Sequence, residues 1–279
     1  MAPVRVKDVL RIATVNVNGI RAAHNKTRGQ SSGLSEWLAA RDADVVTLQE
    51  VRAPDEIVRE ILEGTGYHVA HTEAAAKGRA GVAVLSRVEP TVHRVGNGDP
   101  FFHDSGRWIE SDIPLPDGST LTAVSAYVHS GEAGTPRQEE KYRFLEQMAT
   151  RLAEIRATGA HAVVTGDLNV GHTSRDIKNW KANQKKAGFL PEERAYFDRF
   201  FGELGWVDVH RAIAGDVPGP YTWWSMRGQA FDTDTGWRID YQIATPELAA
   251  TARTAVVDRA ESWAERWSDH APLVIDYDL

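Results

Sequence analysis

The stretch Val163-Val-Thr-Gly-Asp-Leu-Asn169 ends a β-branched run in a glycine, a carboxylate and an amide. In an extended chain residues two apart point to one face, so Asp167 and Asn169 project side by side. Gly166 lets the backbone pass close to a ligand with no Cβ in the way. An acid and an amide at the end of a buried strand suit hydrolytic chemistry at a sheet edge; an Asx turn capping the next element is the other reading of the same residues. The pattern recurs. Asn16 and Asn18 stand two apart at the end of an apolar run, Glu50 ends another, Asp240 lies in Gly236-Trp-Arg-Ile-Asp-Tyr241, and Asp269 and His270 precede the last apolar run. If these ends share one rim, four carboxylates meet there. Two like charges ~4 Å apart repel by about 4 kcal/mol at an effective dielectric near 20, so such a group either raises its own pKa values or binds a cation. Oxygen donors without any cysteine favour a hard divalent ion, Mg2+ before Zn2+. Mg2+ takes one or two protein carboxylates and leaves its other positions to water and substrate phosphate, which suits phosphoryl chemistry.

Positioning such residues requires strands, and the chain reads as rich in them. Residues 11–18 alternate apolar and polar side chains, and 44–50 form a β-branched strand. Between them lie a polar loop, residues 24–33, and a helix with Leu34, Trp37 and Leu38 on one face. Pro54 fits the first turn of a helix through Ile57, Ile61 and Leu62. Further strands are predicted over 81–86, 107–113 and 120–128. Pro136 opens the longest helix, with Tyr142, Leu145, Met148, Leu152 and Ile155 on one side and Gly159 at its end. A helix from Leu190 carries Phe197, Phe200, Phe201 and Leu204, a strand is predicted over 236–243, and a loop from Ser268 leads into a last strand. Strands outnumber helices and many are separated by short turns, which favours mixed or antiparallel sheets with helices packed outside. There is no linker, short-period repeat or low-complexity tract, so one domain is expected over residues 1–279, with its core from about residue 10.

At 279 residues, 42% hydrophobic and 25% charged, the composition is that of an ordinary soluble globular chain. No apolar run approaches the roughly 18 residues of a membrane span, and the first ten residues lack a signal-peptide core. The absence of cysteine excludes disulfides and thiolate metal sites and suits the cytoplasm. A net charge of −7 argues against nucleic acid as a partner, but binding follows the local field. Residues 175–186 carry Arg175, Lys178, Lys181, Lys185 and Lys186 against Asp176 alone, either a solvated face or a contact for phosphate. His68 and His71 form an H-x-x-H pair with no helical periodicity around it and no third ligand nearby, and are expected to be unrelated to metal.

Taken together, Thr14-Val-Asn-Val-Asn-Gly-Ile-Arg21, Leu48-Gln-Glu50, Ala126-Tyr-Val128, Gly166-Asp-Leu-Asn169, Phe189-Leu-Pro-Glu-Glu-Arg194, Tyr221-Thr-Trp-Trp224, Gly236-Trp-Arg-Ile-Asp-Tyr241 and Ser268-Asp-His270 resemble the exonuclease III family of abasic-site endonucleases, within the endonuclease/exonuclease/phosphatase superfamily. The resemblance runs in family order from residue 11 to the end. Most of these pieces are shared across the superfamily; the tryptophan-arginine motif, with Leu-Pro-Glu-Glu-Arg upstream, points to the nuclease branch. The resemblance implies a four-layer α/β sandwich, two sheets face to face with helices outside. It also implies a Mg2+-dependent DNA-repair phosphodiesterase, with Mn2+ as a substitute ion, that cuts 5′ to an abasic site, leaves a 3′-hydroxyl and trims 3′ ends. Double-stranded DNA with abasic sites and 3′ ends is the implied partner, met by a monomer.

By the same resemblance, Glu50, Asn16, Asn18 and Asp269 hold the metal. Asp167 orients or deprotonates the attacking water, and Asn169 holds an oxygen of the scissile phosphate. His270, oriented by Asp240, hydrogen-bonds that phosphate, and Tyr127 contacts the phosphate or the leaving oxygen. Trp223 and Trp237, with Ile239, are implied to wall a pocket for an extrahelical baseless sugar, which is easier to extrude than an intact nucleotide. Arg107, Arg175, Lys178 and Lys181 are the cationic residues expected on DNA. Ser130 and His129 depart from the amide and proline common in relatives, and the loop over 24–32 is longer than in several. Two other readings compete: the same site hydrolysing inositol phosphates, sphingomyelin or a nucleotide tail, and a DNA-binding module without turnover.

Overall fold

The structure, a computed structural model, describes residues 9–25 and 33–279. The first eight residues and most of the polar loop over 24–33 lie outside them. Among the described residues twelve strands carry the fold: β1 (Val9–Asn16), β2 (Val45–Gln49), β3 (His68–Thr72), β4 (Val82–Ser86), β5 (Val92–Val95), β6 (Trp108–Pro114), β7 (Thr120–Tyr127), β8 (His161–Asp167), β9 (Val207–Asp208), β10 (Asp240–Ala244), β11 (Ala252–Val257) and β12 (Leu273–Asp278). They form two six-stranded sheets, ordered β11-β12-β1-β2-β4-β3 and β5-β6-β7-β8-β10-β9. Only β1–β2 and β7–β8 pair in parallel; the other pairs are antiparallel, so both sheets are mixed.

Strand periodicity assigns each side chain to a layer. Ile12 and Val45 face the other sheet, while Ala13, Val15, Val46 and Leu48 face outward onto helices α1 (Ile20–His24), α2 (Gly33–Arg41) and α3 (Asp55–Leu62). In the second sheet Val163 faces inward. Val164 packs outward against α4 (Pro136–Ala157), which presents Phe144, Leu145, Met148 and Leu152. Short α5 (Trp180–Asn183) precedes α6 (Pro191–Phe201), whose Phe197 and Phe200 join this outer core; α7 (Val209–Ala214) and α8 (Pro246–Ala249) complete the helices. The result is helix, sheet, sheet, helix. With both faces covered, β2, β4 and β10 are buried along their whole length, and β2 and β4 read as near-continuous apolar runs for that reason.

Toward one end of the strands the filling between the sheets becomes polar. Thr47 Oγ1 meets Thr165 Oγ1 at 2.5 Å, Gln49 donates to Ser125 Oγ at 3.0 Å, and Ser125 donates to the Leu48 carbonyl at 2.9 Å. Each bond crosses from one sheet to the other, so the seam fixes the register of two surfaces that apolar packing alone would let slide. Gly166 sits in it. A Cβ there would lie 2.0 Å from the Ala126 carbonyl oxygen, so the close approach it permits is between neighbouring strands, not to a ligand.

Several local expectations change. β3, β5 and β11 have no counterpart in the sequence reading because they are short and half-exposed, all three at sheet edges, and carry no clean alternation. Pro54 caps α3 one residue before its first turn. Tyr142 is only half-buried and packs on Tyr196, its expected place in the core taken by Phe144. The predicted strand over 236–243 pairs within its sheet only from Asp240 onward.

Candidate active site

The same end of both sheets gathers the polar residues. Along the second sheet Tyr127, Asp167 and Asp240 are register partners on three adjacent strands. From the first sheet come Asn16, at the end of β1, Glu50, just after β2, and Asp269 and His270, just before β12. The last two are held by a small ribbon: Trp223 exchanges backbone hydrogen bonds with Trp237, Trp224 N–H donates to the Asp269 carbonyl, and Ala271 N–H donates to Thr222. Asn18, Glu50 and Asn169 have φ of 47°, 49° and 51°. Left-handed backbone is uncommon for such residues and costs roughly 1–3 kcal/mol; here it turns the chain sharply at each strand end.

Hydrogen bonds link the carboxylates into one network. Asn16 Nδ2 donates to both Glu50 Oε1 (2.8 Å) and Asp167 Oδ2 (2.9 Å), so a single amide nitrogen bridges the sheets. Asn18 Nδ2 donates to Asp269 Oδ1 at 2.9 Å, and Trp223 Nε1 to Asp269 Oδ2 at 3.1 Å. Arg52 pairs with the other oxygen of Glu50. Asn169 donates through its backbone to Asp167 Oδ1 and through its side chain to Asp167 Oδ2 and the Val128 carbonyl. His270 Nδ1 lies 2.8 Å from Asp240 Oδ2, and its Nε2 faces Asp167 Oδ2 at 3.6 Å. The Asn16 oxygen accepts from the Asn18 N–H. Both asparagines therefore orient carboxylates through their nitrogens, a different geometry from the ligand role the resemblance implies for them.

Charge is not balanced here. Burial raises the Asp167 carboxyl well above the usual range; His270 opposes the shift, and Asp240 and Glu50 add to it. Burial works against an imidazolium at His270, but Asp240 and Asp167 outweigh it and hold the ring's pKa high. Tyr127 stays a phenol, kept protonated by burial and by the nearby Glu50 and Asp167. Asp240 Oδ1 is buried with no hydrogen-bond partner among the described residues. Asp167, Asp240 and His270 offer ligand atoms within 4.8 Å of one another; the Asp240–His270 bond engages Nδ1 and leaves Nε2 toward Asp167. The half-buried oxygens of Glu50 and Asp269 fit a hard cation better.

A cavity of about 300 Å3 opens on this network. It is lined by Glu50, Tyr127, Asp167, Asn169, Asp269 and His270 and by the apolar group Trp223, Trp237 and Ile239, with Ala187 and Gly188. The two indoles meet edge to face, centroids 6.1 Å apart at 88°. Ser130 lies on the rim. Trp224 does not reach the cavity and is buried against Phe231.

The expected cationic residues are not among those lining the cavity. Arg107 stacks over the Tyr127 ring at 5.0 Å. Arg175 is paired with exposed Asp216 at 2.8 and 2.9 Å, and Lys178 and Lys181 are exposed on the same segment. Asp176, the one acid of that segment, is buried between Arg238 and Arg211. His68 and His71 stand three apart on β3 and so face opposite ways; His71 pairs with Asp55 at 3.4 Å. A wider groove of about 830 Å3 beside Arg59, His68 and His93 lies at the far end of the strands. Sequence reasoning missed Ala187 and Gly188 on the cavity wall, and missed Lys141 behind it; Glu193 was visible only as part of a motif.

Residues 13–270 match the endonuclease/exonuclease/phosphatase family. An exodeoxyribonuclease of Bacillus subtilis is 33% identical over 264 residues, covering 95% of this chain and 98% of the relative. A DNA-(apurinic or apyrimidinic site) endonuclease of Dictyostelium discoideum is 30% identical, with 97% and 71% covered. The solved structure of an AP endonuclease from Archaeoglobus fulgidus superposes with a TM-score of 0.84 at 28% identity, over 97% of this chain and all of that one. This chain belongs to the endonuclease/exonuclease/phosphatase family, in its exodeoxyribonuclease III and AP endonuclease branch.

Proposed function

We propose that this protein is a metal-dependent DNA-repair phosphodiesterase that hydrolyses the backbone 5′ to an abasic site and trims 3′ ends, working as a cytoplasmic monomer with one catalytic domain. The observation that carries the reading is the lining of one cavity: acids, an amide and a histidine together with two half-buried indoles. The aromatic wall suits a sugar with no base attached. A lesion without stacking is also the cheaper one to extrude into the cavity.

Glu50 and Asp269, oriented by Asn16 and Asn18, are the residues that would hold Mg2+, or Mn2+ in its place, and the bound ion would offset negative charge on a phosphate oxygen. Asp167 takes the proton of the attacking water or orients it. Asn169 and Tyr127 donate to phosphate oxygens, and His270, held by Asp240, donates to the charge that builds up at phosphorus. The bond that breaks joins phosphorus to the 3′ oxygen upstream of the lesion; that oxygen leaves protonated as a 3′-hydroxyl, and the phosphate stays on the abasic sugar. Fixed donors aimed at developing charge are the main source of rate in such sites. Exposed Lys178 and Lys181, and Arg175 once released from Asp216, are placed to meet the flanking backbone of duplex DNA, and Arg107 supports Tyr127 from behind.

An end-labelled duplex with a single abasic site tests this. One metal-dependent cut, abolished by EDTA and leaving a 3′-hydroxyl that a polymerase extends, is the expected result. An uncut abasic duplex alongside turnover of an inositol phosphate or a sphingomyelin would replace the reading with its rival.

A further inference from the structure

We propose that the buried Lys141–Glu193 pair is a positioning device that sets the width of the cavity by fixing the loop over 187–190 and the tryptophan packed on it; the inference rests on the abasic-sugar reading above. Neither residue lines the cavity, and both side chains are fully enclosed, at 0% exposure. The Lys141 ammonium donates to Glu193 Oε1 at 2.6 Å and to the Asn169 carbonyl at 2.8 Å. It thus ties the end of β8, beside Asp167, to the first turn of α6. Glu193 spends its other oxygen on the loop, accepting from Gly188 N–H at 2.7 Å and Leu190 N–H at 3.0 Å, while Gln138 from α4 donates to Oε1 at 3.0 Å.

Gly188 passes this grip to the cavity wall. Its φ is +92°, and a Cβ there would lie 2.8 Å from Trp237 Cζ3 and 3.3 Å from the Asn169 oxygen. Its carbonyl is also held, by the Gly171 N–H at 2.8 Å. One carboxylate therefore sets the distance between Asn169 on the phosphate side and Trp237 on the sugar side. A helix cap alone needs only an acceptor for Leu190, and an apolar pair would fill the space at least as stably as a buried ion pair. What the charged pair adds is a short, directional tether reaching both sides of the cavity.

Two variants probe the tether separately. Lys141→Met combined with Glu193→Gln removes both charges and leaves none orphaned; Gly188→Ala keeps both charges and presses on Trp237. For each, kcat and KM on an abasic duplex are measured with the rate of incision at an intact nucleotide in the same sequence, Mn2+ affinity, and cooperativity of unfolding. For the double variant the expected result is a preference for the abasic site reduced tenfold or more through KM, with kcat within threefold and Mn2+ affinity unchanged; Gly188→Ala, which narrows the wall itself, is expected to raise KM at least as much. If the double variant does not unfold cooperatively, Lys141→Arg, which keeps the charge and changes the reach of the tether, takes its place. Wild-type preference and KM in folded variants would overturn the inference, as would a loss confined to kcat with weakened Mn2+ binding. A wild-type enzyme that leaves the abasic duplex uncut would overturn the substrate reading and the inference with it.

Discussion

Two buried charge clusters flank the start of β10, and they are built on opposite plans. Arg238, 1% exposed, lies two residues before Asp240, 0% exposed. Arg238 donates to Asp176 at 2.7 Å and to both oxygens of Asp208 at 3.0 and 2.7 Å, while Arg211 donates to Asp176 at 2.6 Å. Two acids meet two guanidiniums, and burial's tendency to raise the Asp176 carboxyl is outweighed by Arg238, which holds it far below the usual range. On the Asp240 side, four carboxylates face one buried histidine and Arg52, which pairs with Glu50 alone, and one buried carboxylate oxygen has no partner among the described residues. A cluster complete in itself can only support the fold. One that is short of positive charge is finished by something from outside the chain.

The contrast breaks most sharply by substitution on the two sides. Asp167→Asn should lower incision by about 10³-fold, the scale of losing a group that acts on developing charge, while the urea midpoint stays level or rises as repulsion is relieved. A loss of stability matching the loss of activity would put the acidic cluster among the structural ones. Arg238→Met should do the reverse. Removing one partner of a buried charge group costs roughly 3–5 kcal/mol, read as a lower urea midpoint, with kcat per folded molecule near wild type at low temperature.

A smaller effect sharpens the balanced side. His210, buried against this cluster, has no partner for either ring nitrogen among the described residues, and burial, then Arg238, lowers its pKa to about 3. The unfolded chain binds a proton near pH 6.5 that the fold refuses, so the stability it contributes is complete above about 6.5 and is lost as pH falls toward 3. Between pH 7.5 and 5.0 this amounts to about 2 kcal/mol. Urea midpoints of wild type and His210→Phe at the two pH values check it: the variant should lose correspondingly less on acidification, and equal losses would refute the assignment.

Which parts were legible in the sequence follows from range. Asp167 and Asn169 could be paired from spacing alone because strand periodicity is local, and the buried strands β2, β4 and β8 announced themselves as apolar runs. That Asp167, Glu50 and His270 share a rim could not be read from any window; it came from the order of several motifs. Asp176 looked solvated inside a basic run because its partners Arg211 and Arg238 lie 35 and 62 residues away. Lys141 is 52 residues from Glu193 and sits in a helix whose other charges are mostly exposed, so nothing local marked it as buried. Gly166 was read as making room for a ligand, when the crowding it relieves comes from the neighbouring strand.

The most direct measurement is a titration with Mn2+ followed by electron paramagnetic resonance, with Mg2+ as competitor, on wild type and on a variant carrying Glu50→Gln and Asp269→Asn. Bound Mn2+ in the wild type, displaced by Mg2+ and lost in the variant while its unfolding stays cooperative, is the predicted result. A variant that binds the ion as tightly as the wild type would contradict the claim that the surplus carboxylates at the strand ends exist to hold a cation.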